Sequence, residues 1–223
     1  MTAPPSGRWL RVGATVAAGR LRPPVGSSRR RSVCGAARVL TGLGLRVEVR
    51  APAVAWPRGG TGLLLVANSV SALDPLALLT AVPAGVVAGS PDRLAGVGLP
   101  TVPAVPARVA ATLHGGTSVV VRPEERTEDG GPGRFSPALL VAAPATGAAV
   151  CPVAVRYRGP ATPPPAGRSR VAALRWLAAS PGTVVEVHLL PALASAGASA
   201  AELATLAEYA VAGVLEPALP AAR

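Results

Sequence analysis

The chain has 223 residues, half of them apolar, which suits one ordinary domain with a sizeable core and argues against global disorder. Its formal net charge is +11, every one of its 22 strongly basic residues is arginine, and aromatic residues make up only 3%, too few for base-stacking platforms. The two cysteines, Cys34 and Cys151, lie far apart in apolar surroundings, which excludes a disulfide scaffold and points to free thiols in a reducing compartment.

The positive charge belongs to the N-terminal quarter. Residues 1–60 carry eleven arginines against a single acid, Glu48; the remainder carries eleven arginines and ten acids. Residues 1–31, rich in Pro, Gly, Ser and Arg, read as a flexible basic arm that an anionic surface would attract. Acidic lipid fits better than nucleic acid, because no nucleic-acid module signature accompanies the charge; a merely solvated arm is the plainer alternative. The N-terminus lacks the continuous apolar stretch of a secretory signal. The longest uncharged stretch, Phe135–Val155, is broken by Pro137, Pro144, Gly147 and Pro152, so no spanning helix is predicted. A soluble or peripherally bound protein is expected.

A single domain is predicted over residues 32–218. Residues 32–42 read as a helix with Ser32 as its cap. Leu45–Val49 alternates as a half-buried strand, and residues 51–61 form a loop. Leu63–Ala67 is wholly apolar, as a central buried strand should be. The polar turn Asn68–Ser71 leads into a helix over Leu73–Ala81, with Asp74 and Pro75 in its first turn. Val86–Gly89 is a short strand, and residues 90–106 a Pro/Gly-rich connection. A helix over Ala107–His114 ends at Gly115–Gly116. Ser118–Val121 is a second buried strand, followed by the charged run Arg122–Asp129 and a loop over residues 130–136. Pro137–Thr146 reads as a helix interrupted at Pro144. Ala149–Tyr157 is a third buried strand, Pro160–Gly167 a loop and Val171–Ala179 a helix. Thr183–Leu190 is a strand with Glu186 and His188 on one face, and Ala200–Leu215 an amphipathic helix. Strands alternating with helices predict an α/β fold, a layered mixed sheet flanked by helices. Ligands in such folds gather at the carboxyl ends of strands. Two strand ends carry polar clusters: Asn68-Ser69-Val70-Ser71-Ala72-Leu73-Asp74, and Arg122-Pro123-Glu124-Glu125-Arg126-Thr127.

The first cluster resembles the Asn-His-x-Ser-x-x-Asp signature of the glycerolipid (1-acyl-sn-glycerol-3-phosphate, PlsC-like) acyltransferase family. Asn68, Ser71 and Asp74 match it, and Ser69 occupies the position of the family's catalytic His. The second cluster is similar to the family's Phe-Pro-Glu-Gly-Thr-Arg block. Pro123 and Glu124 match there, while Arg122, Glu125, Arg126 and Thr127 depart from it. Gly133-Arg134-Phe135 looks like the usual continuation, and Val150-Cys151-Pro152-Val153-Ala154-Val155 resembles the last motif. The family's Gly-x-Ile-x-x-x-Arg block has only Arg108 as a stand-in. The four recognisable blocks span roughly residues 35–215.

The resemblance implies acyl transfer from acyl-CoA or acyl carrier protein to a lysophospholipid, with no cofactor beyond the acyl donor and a cytoplasmic location at the inner face of the membrane. It places Asp74 and Ser69 at the catalytic positions, and Asn68, Ser71, Arg108, Glu124 and Arg126 around the substrate. In the family the His removes a proton from the acceptor hydroxyl and the Asp orients the imidazole. A serine hydroxyl is too weak a base near pH 7 for that step. As a nucleophile Ser69 would need an adjacent base, and Asp74 alone is a poor one. Of the two histidines, His114 falls at the opposite edge of the sheet, about 20 Å away along the intervening strand. His188 is left open, since its strand could present it to either side. Asp74 and Ser71 also have blander roles, as a helix-terminal acid and a cap. Weak or absent transferase activity is therefore expected. A non-catalytic lipid- or acyl-binding or regulatory module at the membrane surface is the alternative, and specific nucleic-acid binding is not expected.

Overall fold

The computed structural model describes residues 27–52, 54–82, 85–125, 133–159, 176, 179–180 and 182–216. The basic stretch 1–26, most of the predicted loop and helix between residues 160 and 179, and Arg126–Thr127 lie outside them.

Helix α1 (Ser28–Gly42) begins four residues before the expected Ser32, because Ser27 caps it by accepting the Arg30 N–H at 3.3 Å. Ser32 instead donates to the Ser28 carbonyl from inside the helix. Arg29–Arg31 thus form a helical turn rather than the end of the arm. Strand β1 (Arg46–Arg50) follows, then β2 (Leu64–Ala67), which is buried on both faces. Helix α2 (Asp74–Ala81) starts with Pro75 where a missing N–H costs nothing, and buries Asp74 through Leu79. After β3 (Val86–Ala88) the predicted connection turns out to hold structure. A two-stranded hairpin, β4 (Arg93–Leu94) and β5 (Val97–Gly98), turns through Ala95 and Gly96 at φ 48° and 80°, and β6 (Thr101–Val102) joins the main sheet. Strands of two residues are too short to show alternation in the sequence.

Helix α3 (Pro106–His114) leads to β7 (Val119–Val121). The single helix predicted over Pro137–Thr146 is two pieces, a 3₁₀ turn (Pro137–Leu139) and helix α4 (Ala142–Thr146). Pro144 does not break α4, since it lies in the first turn, where N–H groups have no helical partner. Strands β8 (Val150–Arg158) and β9 (Val184–Leu189) and helix α5 (Ala200–Leu215) complete the chain. Ser199 and Glu202 cap α5 reciprocally.

The main sheet has seven strands in the order β1-β9-β8-β2-β7-β3-β6. β8, β2, β7, β3 and β6 run parallel; β9 is antiparallel to β8, and β1 is parallel to β9. The predicted α/β fold with a mixed sheet flanked by helices is the fold observed. Alternation divides the core between the two faces. Leu65, Ala67, Val153 and Val155 join the cluster with α1 and α2, while Leu64, Val66, Val150 and Ala154 join the cluster with α3, α4 and α5. Because five strands are parallel, their carboxyl ends lie along one edge. That edge collects Asn68, Ser90, Arg122 and Tyr157.

Candidate functional site

Strand β8 runs on past β2, whose last residue, Ala67, pairs with Val153. The Asn68 side chain takes over the ladder from there. Its Nδ2 donates to the Val155 carbonyl at 3.0 Å, and its Oδ1 accepts the Val155 N–H at 2.7 Å. An amide side chain copies a peptide's donor and acceptor, so it fixes the direction in which the chain leaves the strand. The next residues turn around Asp74. Its Oδ2 accepts the N–H groups of Val70 (2.7 Å) and Ser71 (2.8 Å), and its Oδ1 accepts the Tyr157 hydroxyl at 2.8 Å. Ser71 is buried, and its Oγ accepts the Leu73 N–H within the turn; it does not cap α2, whose N-cap position is Leu73 with no side-chain cap bond.

Asp74 is fully buried. Desolvation raises its pKa from 3.8 to about 6, against the opposing pull of the Ser71 N–H, the Tyr157 hydroxyl, the Val70 N–H and the nearby Arg122 charge. Burial, with the Asp74 charge beside it, also pushes Tyr157 well above its ordinary value, so the phenol stays protonated and donates. The Trp176 ring meets Tyr157 edge-on, with centroids 6.4 Å apart.

Ser69 is half-buried at the tip of the turn. Its backbone N–H donates to Glu124 Oε2, and Glu124 Oε1 accepts the Gly133 N–H at 3.2 Å. The two sequence clusters therefore meet through Glu124. Its pKa is raised by burial, against the Ser69 and Gly133 N–H groups and with the help of Glu208. Gly133 must be glycine, since a Cβ there would overlap the Glu125 carbonyl. Glu125 itself is exposed and pairs through its backbone with Arg134. Among the described residues none is hydrogen-bonded to the Ser69 hydroxyl, so no base stands ready to activate it.

Asn68, Ser69, Ser71, Asp74 and Glu124 are thus brought together as expected. Arg108 is in the first turn of α3, exposed, and its side chain touches none of them. Arg126 lies outside the described residues. His114 is exposed at the C-terminal end of α3, where the chain returns to the amino edge of β7. His188 pairs with Ala154 across β8 and β9, whereas Tyr157 pairs with Val185. Side chains alternate along a strand, so His188 projects from the face opposite Tyr157 and Asp74. Its Nε2 lies 3.7 Å from Glu186, which also binds Arg158 at 2.9 Å. Neither histidine reaches Ser69. The sequence reading missed Tyr157 as part of the site; Arg122 it had already placed in the second polar cluster. Tyr157 continues the alternation of Cys151, Val153 and Val155, which marks it as inward-facing.

No protein-family model and no curated protein matches this chain. Among solved structures, that of the 1-acyl-sn-glycerophosphate (LPA) acyltransferase PlsC from Thermotoga maritima is similar. The TM-score is 0.62 at 23% identity, over 94% of this chain and 89% of that one. The chain has the fold of that acyltransferase. Its main sheet and its flanking helices belong to this fold. Both cysteines are free, and burial pushes the Cys151 thiol up to about 12, which makes it inert. No helix among the described residues is long and apolar enough to cross a membrane.

Proposed function

We propose that this chain is a diverged phospholipid acyltransferase that engages a lysophospholipid and an acyl donor, acyl-CoA or acyl carrier protein, at the membrane surface and transfers acyl groups slowly or not at all. The observation that carries this reading is the isolation of Ser69. It stands on the same turn as Asp74, yet its hydroxyl has no hydrogen-bond partner among the described residues, and both histidines lie elsewhere. The acyltransferase fold supports the substrate class, and the Asn68–Asp74 turn supports the position of the site.

General-base catalysis contributes about 10²–10⁴ in rate, so its loss alone lowers turnover by that factor. Purified protein should therefore show near-background transfer from acyl-CoA, or from acyl carrier protein, to lysophosphatidate. Ser69→His should raise the rate at least about tenfold, because among the described residues Asp74 Oδ1 accepts only the Tyr157 hydroxyl and has a lone pair left for an imidazole N–H. Robust wild-type turnover would sink the lost-base reading. The basic segment 1–26 would hold the protein on anionic lipid; salt-insensitive vesicle binding would argue against that electrostatic attachment.

A further inference from the structure

Strand β1 forms one margin of the main sheet and, among the described residues, pairs only with β9. The Arg46 N–H donates to the Thr183 carbonyl at 3.3 Å, so the parallel ladder turns the peptide groups of Arg46, Glu48 and Arg50 toward β9. Val47 and Val49 therefore turn their N–H and C=O groups outward, and no hydrogen bond among the described residues takes them up. Neither a proline nor a bulge blunts this edge. Val47 packs on the core beneath α1 and α2; Val49, on the same face, is left 45% exposed. The opposite face carries Arg46, Glu48 and Arg50 in alternating sign, with both arginines more than half exposed.

That charge pattern discriminates among the ways in which an antiparallel copy of β1 could pair with it. Glu48 opposite Glu48 also sets Arg46 against Arg50, so every charged pair repels. Val47 opposite Val47 requires the Leu45 N–H, which already donates to the Leu40 carbonyl at 2.9 Å. Val49 opposite Val49 sets Glu48 against Arg50 twice by symmetry, and it uses only outward peptide groups, those of Val47, Val49 and the exposed Ala51. We propose that β1 is the docking edge for a second copy of this chain, antiparallel and centred on Val49, which joins the two main sheets about a two-fold axis. Pairing covers the exposed Val49 with its own counterpart. The axis is perpendicular to the sheet, so α1 and α2 of both copies lie on one side. A short strand pair is a small interface, so the dimer is weak and reversible. The inference is independent of any acyl transfer.

Sedimentation velocity of the full chain across the micromolar range should show a monomer passing reversibly into a dimer. Val49→Pro removes an outward N–H without touching the β9 ladder, and should weaken association at least about tenfold. Glu48→Arg sets arginine against arginine at both symmetric positions and should weaken it similarly; adding Arg50→Glu restores opposite charges and should bring most of the association back. A chain that stays monomeric throughout would overturn the proposal, as would a dimer indifferent to Val49→Pro or a charge exchange that restores nothing. Should these variants fail to fold, crosslinking serves. In a Cys34→Ser background, which removes the exposed thiol, Val49→Cys should give a disulfide-linked dimer under mild oxidation. Val47→Cys should not, because four residues of strand, about 14 Å, separate it from its counterpart. Crosslinking through residue 47, or none through residue 49, refutes the assignment. None of these readouts involves acyl transfer, so failure here is distinguishable from failure of the transferase reading.

Discussion

Asp74→Asn is the sharpest test of the site's electrostatics. The carboxyl group is fully buried, and its pKa rises from 3.8 to about 6 on folding. The folded state therefore holds the proton more tightly than the unfolded chain, and between these values it binds more protons. The stability contributed by the protonated form is fully present below about pH 3.8 and is lost as the pH rises through about 6. A shift of roughly two units corresponds to about 3 kcal/mol. An asparagine keeps an oxygen for the Val70 and Ser71 N–H groups and presents an NH₂ to Tyr157, whose hydroxyl turns from donor to acceptor. Any difference in bond strength shifts the variant's stability by a constant; the pH dependence comes from the titrating carboxyl alone. Urea unfolding of both proteins at intervals from pH 4 to pH 8 should show Asp74→Asn gaining on wild type by about 2.4 kcal/mol, with most of the change complete by pH 7. Glu124, also raised, is present in both proteins and drops out of the difference. A flat difference, or one that falls with pH, would mean that the N–H donors outweigh desolvation, and the account of the site given above would be wrong.

Two further substitutions separate the scaffold from the site. Asn68→Ala removes both hydrogen bonds to Val155 and leaves a buried peptide unpaired, so it should cost about 2–4 kcal/mol in urea unfolding. A loss under about 0.5 kcal/mol would show that β8 does not need this side chain. Ser199→Ala breaks the reciprocal cap of α5 and should cost about 1 kcal/mol, read in the same assay, with no change in ligand binding because the cap is remote from the polar edge.

How far the sequence foretold the structure depended on the length of each signal. Leu63–Ala67, Ala149–Tyr157 and Ala200–Leu215 carry sustained apolar runs or helical periodicity, and each emerged within a residue or so of its expected bounds. The first turn of α1 was missed because Arg29–Arg31 are solvent-facing and polar, so only the Ser27 cap, a geometric feature, marks its start. The β4–β5 hairpin and β6 are two-residue strands built on turn geometry that no periodicity records. At the site, Asn68, Ser71 and Asp74 share one turn and are local enough to be read together. Glu124 reaches Ser69 across 55 residues, and Tyr157 reaches Asp74 across 83, so only the sheet order brings them into contact. His188 shows the reverse limit. Its side was undecidable until the β8–β9 register placed it opposite Ala154.

The Asn68–Asp74 turn sets its scaffold role apart from its chemistry. Asn68 and Ser71 satisfy backbone groups that would otherwise be buried unpaired, and an uncharged side chain does this without penalty. Asp74 serves the backbone too, but an asparagine oxygen would accept the same two N–H groups at neutral pH without desolvating a charge. A buried acid with a pKa near 6 is stabilised in its ionised form by a cation nearby, as an imidazolium on residue 69 would be. The chain lacks that imidazole, and the Arg122 charge acts on Asp74 in the same direction from the adjacent strand end. Asp74 and Arg122 therefore moderate one another's burial without forming a contact pair.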